Sequence, residues 1–144
     1  GCDVEIVEPR SAAFVSDFLT PAEADTVRSA PDEEQRQVLA NLFWSAKESA
    51  LKVLRTGLRR DTRTVEVVLD DPGMRSQGTW SPLRVVSTHA AGRAVMPGWW
   101  LRDGVWLLSV CYAEPADAPV GLEQPSALRR ATPVHSWMAR PLVD

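Results

Sequence analysis

The chain has 144 residues, 44% of them hydrophobic and 24% charged, with a formal net charge of −3 and a pI near 5.4. That is one domain's worth of sequence, long enough to bury a real core. No run approaches the roughly 18–20 apolar residues a membrane span needs, no basic stretch leads into an apolar leader, and the acidic balance argues against a general nucleic-acid binder. The expectation is a cytoplasmic protein with neither a membrane nor a nucleic acid as partner. Cys2 and Cys111 lie far apart, outside any C-x-x-C pair, and read as reduced core thiols.

In chain order, Cys2 to Val7 alternates apolar and acidic residues, which predicts a strand with Cys2, Val4 and Ile6 on one face and Asp3 and Glu5 on the other. Thr20-Pro21-Ala22-Glu23 is a helix start: a capping residue, a proline at the first helical position and a glutamate to close the box, with a short helix running to about Ser29. Asp32 with Gln35 opens a long helix. Apolar residues at Val38, Leu39, Leu42, Phe43, Ala46, Ala50, Val53 and Leu54 keep helical spacing to about Arg55, and Gly57 offers a C-terminal cap.

Strands follow at Thr64–Leu69, Leu83–Ser87, Arg93–Met96, Trp99–Leu101 and Val105–Tyr112, with Arg102-Asp103-Gly104 turning between the last two. From Glu114 to the end the chain is rich in proline and alanine, an extended strap over a single domain covering residues 1–144. The order predicts an α+β fold, a long helix packed on an antiparallel sheet.

Asp3 and Glu5 put two carboxylates on one strand face about 7 Å apart, where they repel unless a cation lies between them. On the long helix, Trp44, Glu48, Lys52 and Arg55 form one stripe opposite the apolar one. Each set alone also reads as a solvated surface. A tryptophan on a polar face suits either a ligand wall or simple packing. Arg55, Arg59, Arg60 and Arg63 gather after the helix, fitting an acidic partner helix, a phosphate, or a solvated helix end. His89 and His135 have no ligand spacing, and Trp99, Trp100, Trp106 and Trp137 read as packing.

Taken together, Gly1-Cys2-Asp3-Val4-Glu5 followed about forty residues later by Phe43-Trp44-Ser45-Ala46-Lys47-Glu48-Ser49-Ala50-Leu51-Lys52 resembles the paired motifs of the 4′-phosphopantetheinyl transferase superfamily. The stretch Gly57-Leu58-Arg59-Arg60-Asp61-Thr62-Arg63 and the tryptophan-rich strands are similar to its surfactin-synthetase-activating type. The resemblance implies transfer of phosphopantetheine from coenzyme A to a carrier-protein serine, releasing 3′,5′-ADP.

It further implies a magnesium ion on Asp3, Glu5 and Glu48, a hard cation that takes oxygen ligands. Glu48, or a water it orients, takes the serine proton. Lys47 and Lys52 serve the phosphates, and Trp44 and Arg59 help to hold coenzyme A. The surfactin type has two similar halves and this chain matches the second, beginning in mid-strand at Gly1. The expectation is therefore a piece of a longer transferase, pairing with a missing N-terminal half or with copies of itself, as a trimer does. A non-catalytic domain that only docks carrier proteins is the alternative.

Overall fold

The computed structural model describes residues 1–72, 77–87 and 94–121. The elements run β1 (Cys2–Ile6), α1 (Ala12–Phe18), α2 (Pro21–Arg28), α3 (Glu33–Val53), β2 (Val65–Val68), β3 (Ser81–Ser87), β4 (Ala94–Asp103) and β5 (Trp106–Cys111), with two 3₁₀ turns between α3 and β2. The strands form one antiparallel sheet in the order β1-β5-β4-β3-β2, and α3 lies across it. This is the expected α+β architecture. Among the described residues no helix is long and apolar enough to cross a membrane.

The helix starts obey their local chemistry. Thr20 and Glu23 close the capping box of α2 reciprocally, and the Asp32 side chain accepts the Gln35 amide at the start of α3. At the other end the helix stops differently from expectation. Arg55, not Gly57, takes the left-handed turn directly after the helix (φ 56°), with the Thr56 amide donating to the Leu51 carbonyl and the Arg55 amide to that of Lys52. Helix α1 has no counterpart in the sequence reading. Ser11 caps it, and its apolar side chains Phe14, Val15 and Phe18 pack without any of them being fully buried, too short a pattern to read.

Two expected strands are one. The Pro97-Gly98 dipeptide reads as a break, yet pairing continues through it, Pro97 with Arg84 on β3 and Gly98 with Cys111 on β5. A Cβ at Gly98 would lie 2.4 Å from the Val110 carbonyl oxygen, so the strands approach here only because no side chain intervenes. The β4–β5 turn falls at Gly104 (φ 61°) and Val105, since Asp103 already pairs with Trp106. Of the expected strap, the part up to Gly121 has no regular structure, and the Trp99 indole N–H donates to the Ala116 carbonyl at 3.0 Å. The remainder, with His135 and Trp137, lies outside the described residues, as does His89.

The core between α3 and the sheet is built from Val38, Leu42, Phe43, Ala46, Ala50 and Leu51 against Val65, Val85, Met96, Trp100, Leu107 and Cys111. Small residues let α3 approach β5 closely: Ser45 and Ser49 are fully buried, and their hydroxyls each lie 2.8 Å from the Ser109 hydroxyl. Strand β1 pairs with β5, setting Asp3 opposite Ser109 and Glu5 opposite Leu107, two residues that face the helix. The acids of β1 therefore turn toward α3. Its apolar residues turn outward: Val4 is 55% exposed, and Cys2 is exposed rather than a core thiol. Cys111 is the buried one, and burial pushes its thiol up to about 12.

Candidate active site

Edge strand β1 meets the polar stripe of α3 because Gly1 carries no side chain. A Cβ there would lie 2.1 Å from the Ser49 carbonyl oxygen and 2.9 Å from Lys52 Cβ. Along this contact Asp3 and Glu5, both partly buried, stand beside Trp44, Glu48 and Lys52. Five of the residues singled out from sequence are thus brought together from two elements, with 39 positions between Glu5 and Trp44 and 49 between Asp3 and Lys52.

Lys52 is the cation at one end. Its ammonium lies 2.8 Å from Asp3 Oδ1 and 3.6 Å from Glu48 Oε2, and donates to the Cys2 carbonyl at 2.9 Å. Partial burial disfavours the charged amine, but its hydrogen bond and attraction to Asp3, with Glu48 adding, outweigh that and hold its pKa above the ordinary lysine value. Arg10 is the cation at the other end. It donates to Glu5 Oε2 at 2.8 Å and to Asn41 Oδ1 at 2.6 Å, while the Trp44 indole N–H donates to Glu5 Oε1 at 2.9 Å. Phe14 and Phe18 pack against the Trp44 ring, 5.3 and 5.1 Å away between centroids, so the tryptophan is both packed and hydrogen-bonded.

The acids strain against one another. Burial raises Glu48 above the ordinary carboxylate range, and the Asp3 carboxylate, within hydrogen-bonding reach, raises it further, with Lys52 opposing and Glu5 adding to the rise. Burial raises Glu5 too, against the pull of Arg10. Asp3 Oδ2 is buried with no hydrogen-bond partner. A buried carboxylate oxygen left unpartnered costs free energy unless a cation reaches it.

Among the described residues no three His, Cys, Asp or Glu side chains are gathered closely enough to hold a metal ion, so Asp3, Glu5 and Glu48 do not form the expected three-ligand set here. Asp3, with its unpartnered oxygen, and its close neighbour Glu48 do suit a hard divalent cation.

Lys47 is not at this site. Its side chain is completely buried on a different face of α3, with the ammonium 2.8 Å from Glu23 Oε2, 3.0 Å from the Thr62 carbonyl and 2.7 Å from that of Val65. All three of its donors are engaged, and no phosphate can reach it. Arg59 is exposed on the 3₁₀ turn after α3, donating to the Thr56 carbonyl. Of its basic neighbours, Arg60 is pinned to Thr64 and Ser87, and Arg63 forks onto Asp61. Among the described residues Arg55 and Arg59 have no carboxylate partner. Arg10, Asn41 and Phe14 had no signal in the sequence beyond an arginine after Pro9, because their roles depend on where α1 folds back.

The fold and this cluster define an α+β domain that gathers carboxylates and an ammonium where its edge strand meets one face of the long helix. The profile of the 4′-phosphopantetheinyl transferase superfamily matches residues 1–94, more than half of the chain, and the protein belongs to that superfamily. The 4′-phosphopantetheinyl transferase HetI of Nostoc sp. (strain PCC 7120 / SAG 25.82 / UTEX 2576) is 26% identical over 112 residues, 69% of this chain and 46% of HetI. The chain thus spans about half the length of the curated relative it matches.

Proposed function

We propose that this chain carries the catalytic acids of a cytoplasmic enzyme that moves 4′-phosphopantetheine from coenzyme A to an acyl or peptidyl carrier protein. The serine oxygen of the carrier attacks the β-phosphorus of the pyrophosphate, the bond to 3′,5′-ADP breaks, and the serine proton leaves to a base. The observation that carries this reading is the convergence of Asp3, Glu48 and Lys52 from β1 and α3.

Asp3 and Glu48 would hold a magnesium ion, which when bound neutralises and polarises the pyrophosphate. Glu48, whose burial and acidic neighbours raise its proton affinity, takes the serine proton directly or through a water. Lys52 faces the same space and stabilises charge that grows on the phosphoryl oxygens during transfer. Trp44, braced by Phe14 and Phe18, forms a wall for coenzyme A. Arg55 and Arg59 offer positive charge to an acidic carrier helix. The other wall of the cleft comes from an N-terminal half or from a second copy, since this chain matches only half of HetI. That same fact favours a second reading, a half-domain that docks carrier proteins without transferring anything.

The test is magnesium-dependent transfer of labelled phosphopantetheine to an apo carrier protein, by the chain alone and with a supplied N-terminal half. Glu48→Gln is expected to slow transfer by at least about 100-fold. An unchanged rate in this variant would sink the site assignment, and binding of the carrier with no transfer in either arrangement would establish the docking reading.

A further inference from the structure

Lys52 faces Asp3 and Glu48, Arg10 faces Glu5 and Glu8, and the pairing is uneven. Glu5 commits both oxygens, one to the Trp44 indole and one to Arg10. Arg10 is itself locked in place. Beyond Glu5 it holds Asn41 Oδ1, lies 3.4 Å from Glu8 Oε1, and stacks its guanidinium 4.8 Å over the Phe14 ring. Asn41 is fully buried and anchored by donating to the carbonyls of Glu8 and Gln37 at 2.7 and 2.8 Å. To turn Glu5 toward a bound cation would break two hydrogen bonds in a half-buried place and leave Arg10 with only Glu8 and Asn41 as polar partners.

Asp3 and Glu48 are under no such restraint. The Asp3 side chain is nine-tenths buried, Lys52 holds only its Oδ1, and Oδ2 has no partner. Glu48 has Lys52 at 3.6 Å, beyond a hydrogen bond, and otherwise lies against Asp3.

We propose that Arg10 is a positioning residue that withdraws Glu5 from the cation-holding set, leaving Asp3 and Glu48 to hold a divalent cation while Glu5 docks Trp44. This rests on the reading that the cluster holds such a cation. Arg10 holds Glu5, Glu8 and Asn41, not Asp3 or Glu48. It acts by fixing which carboxylates remain available, and it separates Glu5 from its partner acid in the D-x-E pair.

Binding of Mn2+ to the whole 144-residue chain, followed by electron paramagnetic resonance, tests this without any turnover. Asp3→Asn and Glu48→Gln should each weaken Mn2+ by about 30-fold or more, the scale on which metal sites respond to lost oxygen partners. Glu5→Gln should stay within about 3-fold of wild type, as expected for a side chain not coupled to the ion. Arg10→Met frees Glu5 and should tighten Mn2+, a gain that vanishes in the Arg10→Met/Glu5→Gln double variant; a purely structural arginine would only weaken it. Arg10→Lys, which keeps the charge on Glu5, should stay at the wild-type value and serves as the readout if the methionine variant does not fold. Equal losses in Glu5→Gln and Asp3→Asn overturn the Arg10 assignment alone. Absence of Mn2+ binding in the wild-type chain overturns the cation reading and this inference with it.

Discussion

Lys47→Met separates two roles for a lysine that stands next to Glu48 in the sequence. The Lys47 ammonium is fully enclosed, with Glu23 and two backbone carbonyls as its partners. Glu23 is equally enclosed: its oxygens also accept the Thr20 and Val67 amides, each at 2.7 Å. Burial raises the Glu23 carboxyl and lowers the Lys47 ammonium, and in each case the partner's charge opposes the shift. Removing the lysine leaves Glu23 as a buried carboxylate without its cation, a change that costs about 3–5 kcal/mol.

With an unfolding entropy of about 2.1 cal/mol/K per residue, a chain of this length loses roughly 10–17 °C of Tm. Differential scanning calorimetry in the absence of ligand reads this directly. Adding Glu23→Gln to Lys47→Met should recover part of the loss, because a neutral amide can still accept one backbone amide. Well below its Tm, Lys47→Met should bind coenzyme A as wild type does. A Tm within 2 °C of wild type combined with a tenfold loss of coenzyme A affinity would refute the burial argument and return Lys47 to the phosphates; the threshold corresponds to under about 1 kcal/mol on the same scale.

Two further outcomes follow from the site. Glu5 and Glu48 have raised pKa values in the fold, so the folded chain takes up protons before the unfolded one does; their contribution to stability therefore grows as pH falls from 7 toward their ordinary value of 4.5. The Tm of Glu48→Gln should equal or exceed wild type at pH 7, with the gap closing by about pH 5, and a gap constant with pH would refute this. Asp61, held at about 2 by Arg63, works in the opposite sense, but only below its ordinary value of 3.8, outside that window. Gly1→Ala places a Cβ against the Ser49 carbonyl and must push β1 off α3; a loss of about 1–3 kcal/mol together with weakened Mn2+ binding is expected, and unchanged binding would mean that this contact does not set the position of Asp3.

Much of the fold was legible because it is written in short-range periodicity. The long helix, its cap and the α2 box came within two or three residues, and the strands followed except where Pro97-Gly98 suggested a break that the sheet bridges. Strand β1 shows what alternation does not settle. The period of two was right, and so was the sharing of a face by Asp3 and Glu5, but alternation does not say which face is covered. The apolar residues of β1 face out beside Leu108 and Val110 of β5, and the acids face the polar stripe of α3.

The same distinction explains why Glu48 was read at its place and Lys47 was not. Adjacent residues on a helix are about 100° apart, so a motif that puts a lysine beside a glutamate sends them to different faces. Trp44, Glu48 and Lys52 recur at four-residue steps along the polar stripe. Lys47 sits four after Phe43 and four before Leu51, both in the core, a register that puts it on the buried face, whereas the family resemblance gives it to the phosphates. What the register could not supply was its partner. Glu23 lies on another helix, and its carboxylate is what makes a buried lysine tolerable there. Arg10 depends in the same way on Asn41 and Phe14, which only the fold brings to it. The residues that face the cluster followed from spacing, while the charges that hold them in place followed from tertiary contacts. Substitutions in that second group should change which acids the cation finds, while those in the first remove the acids themselves.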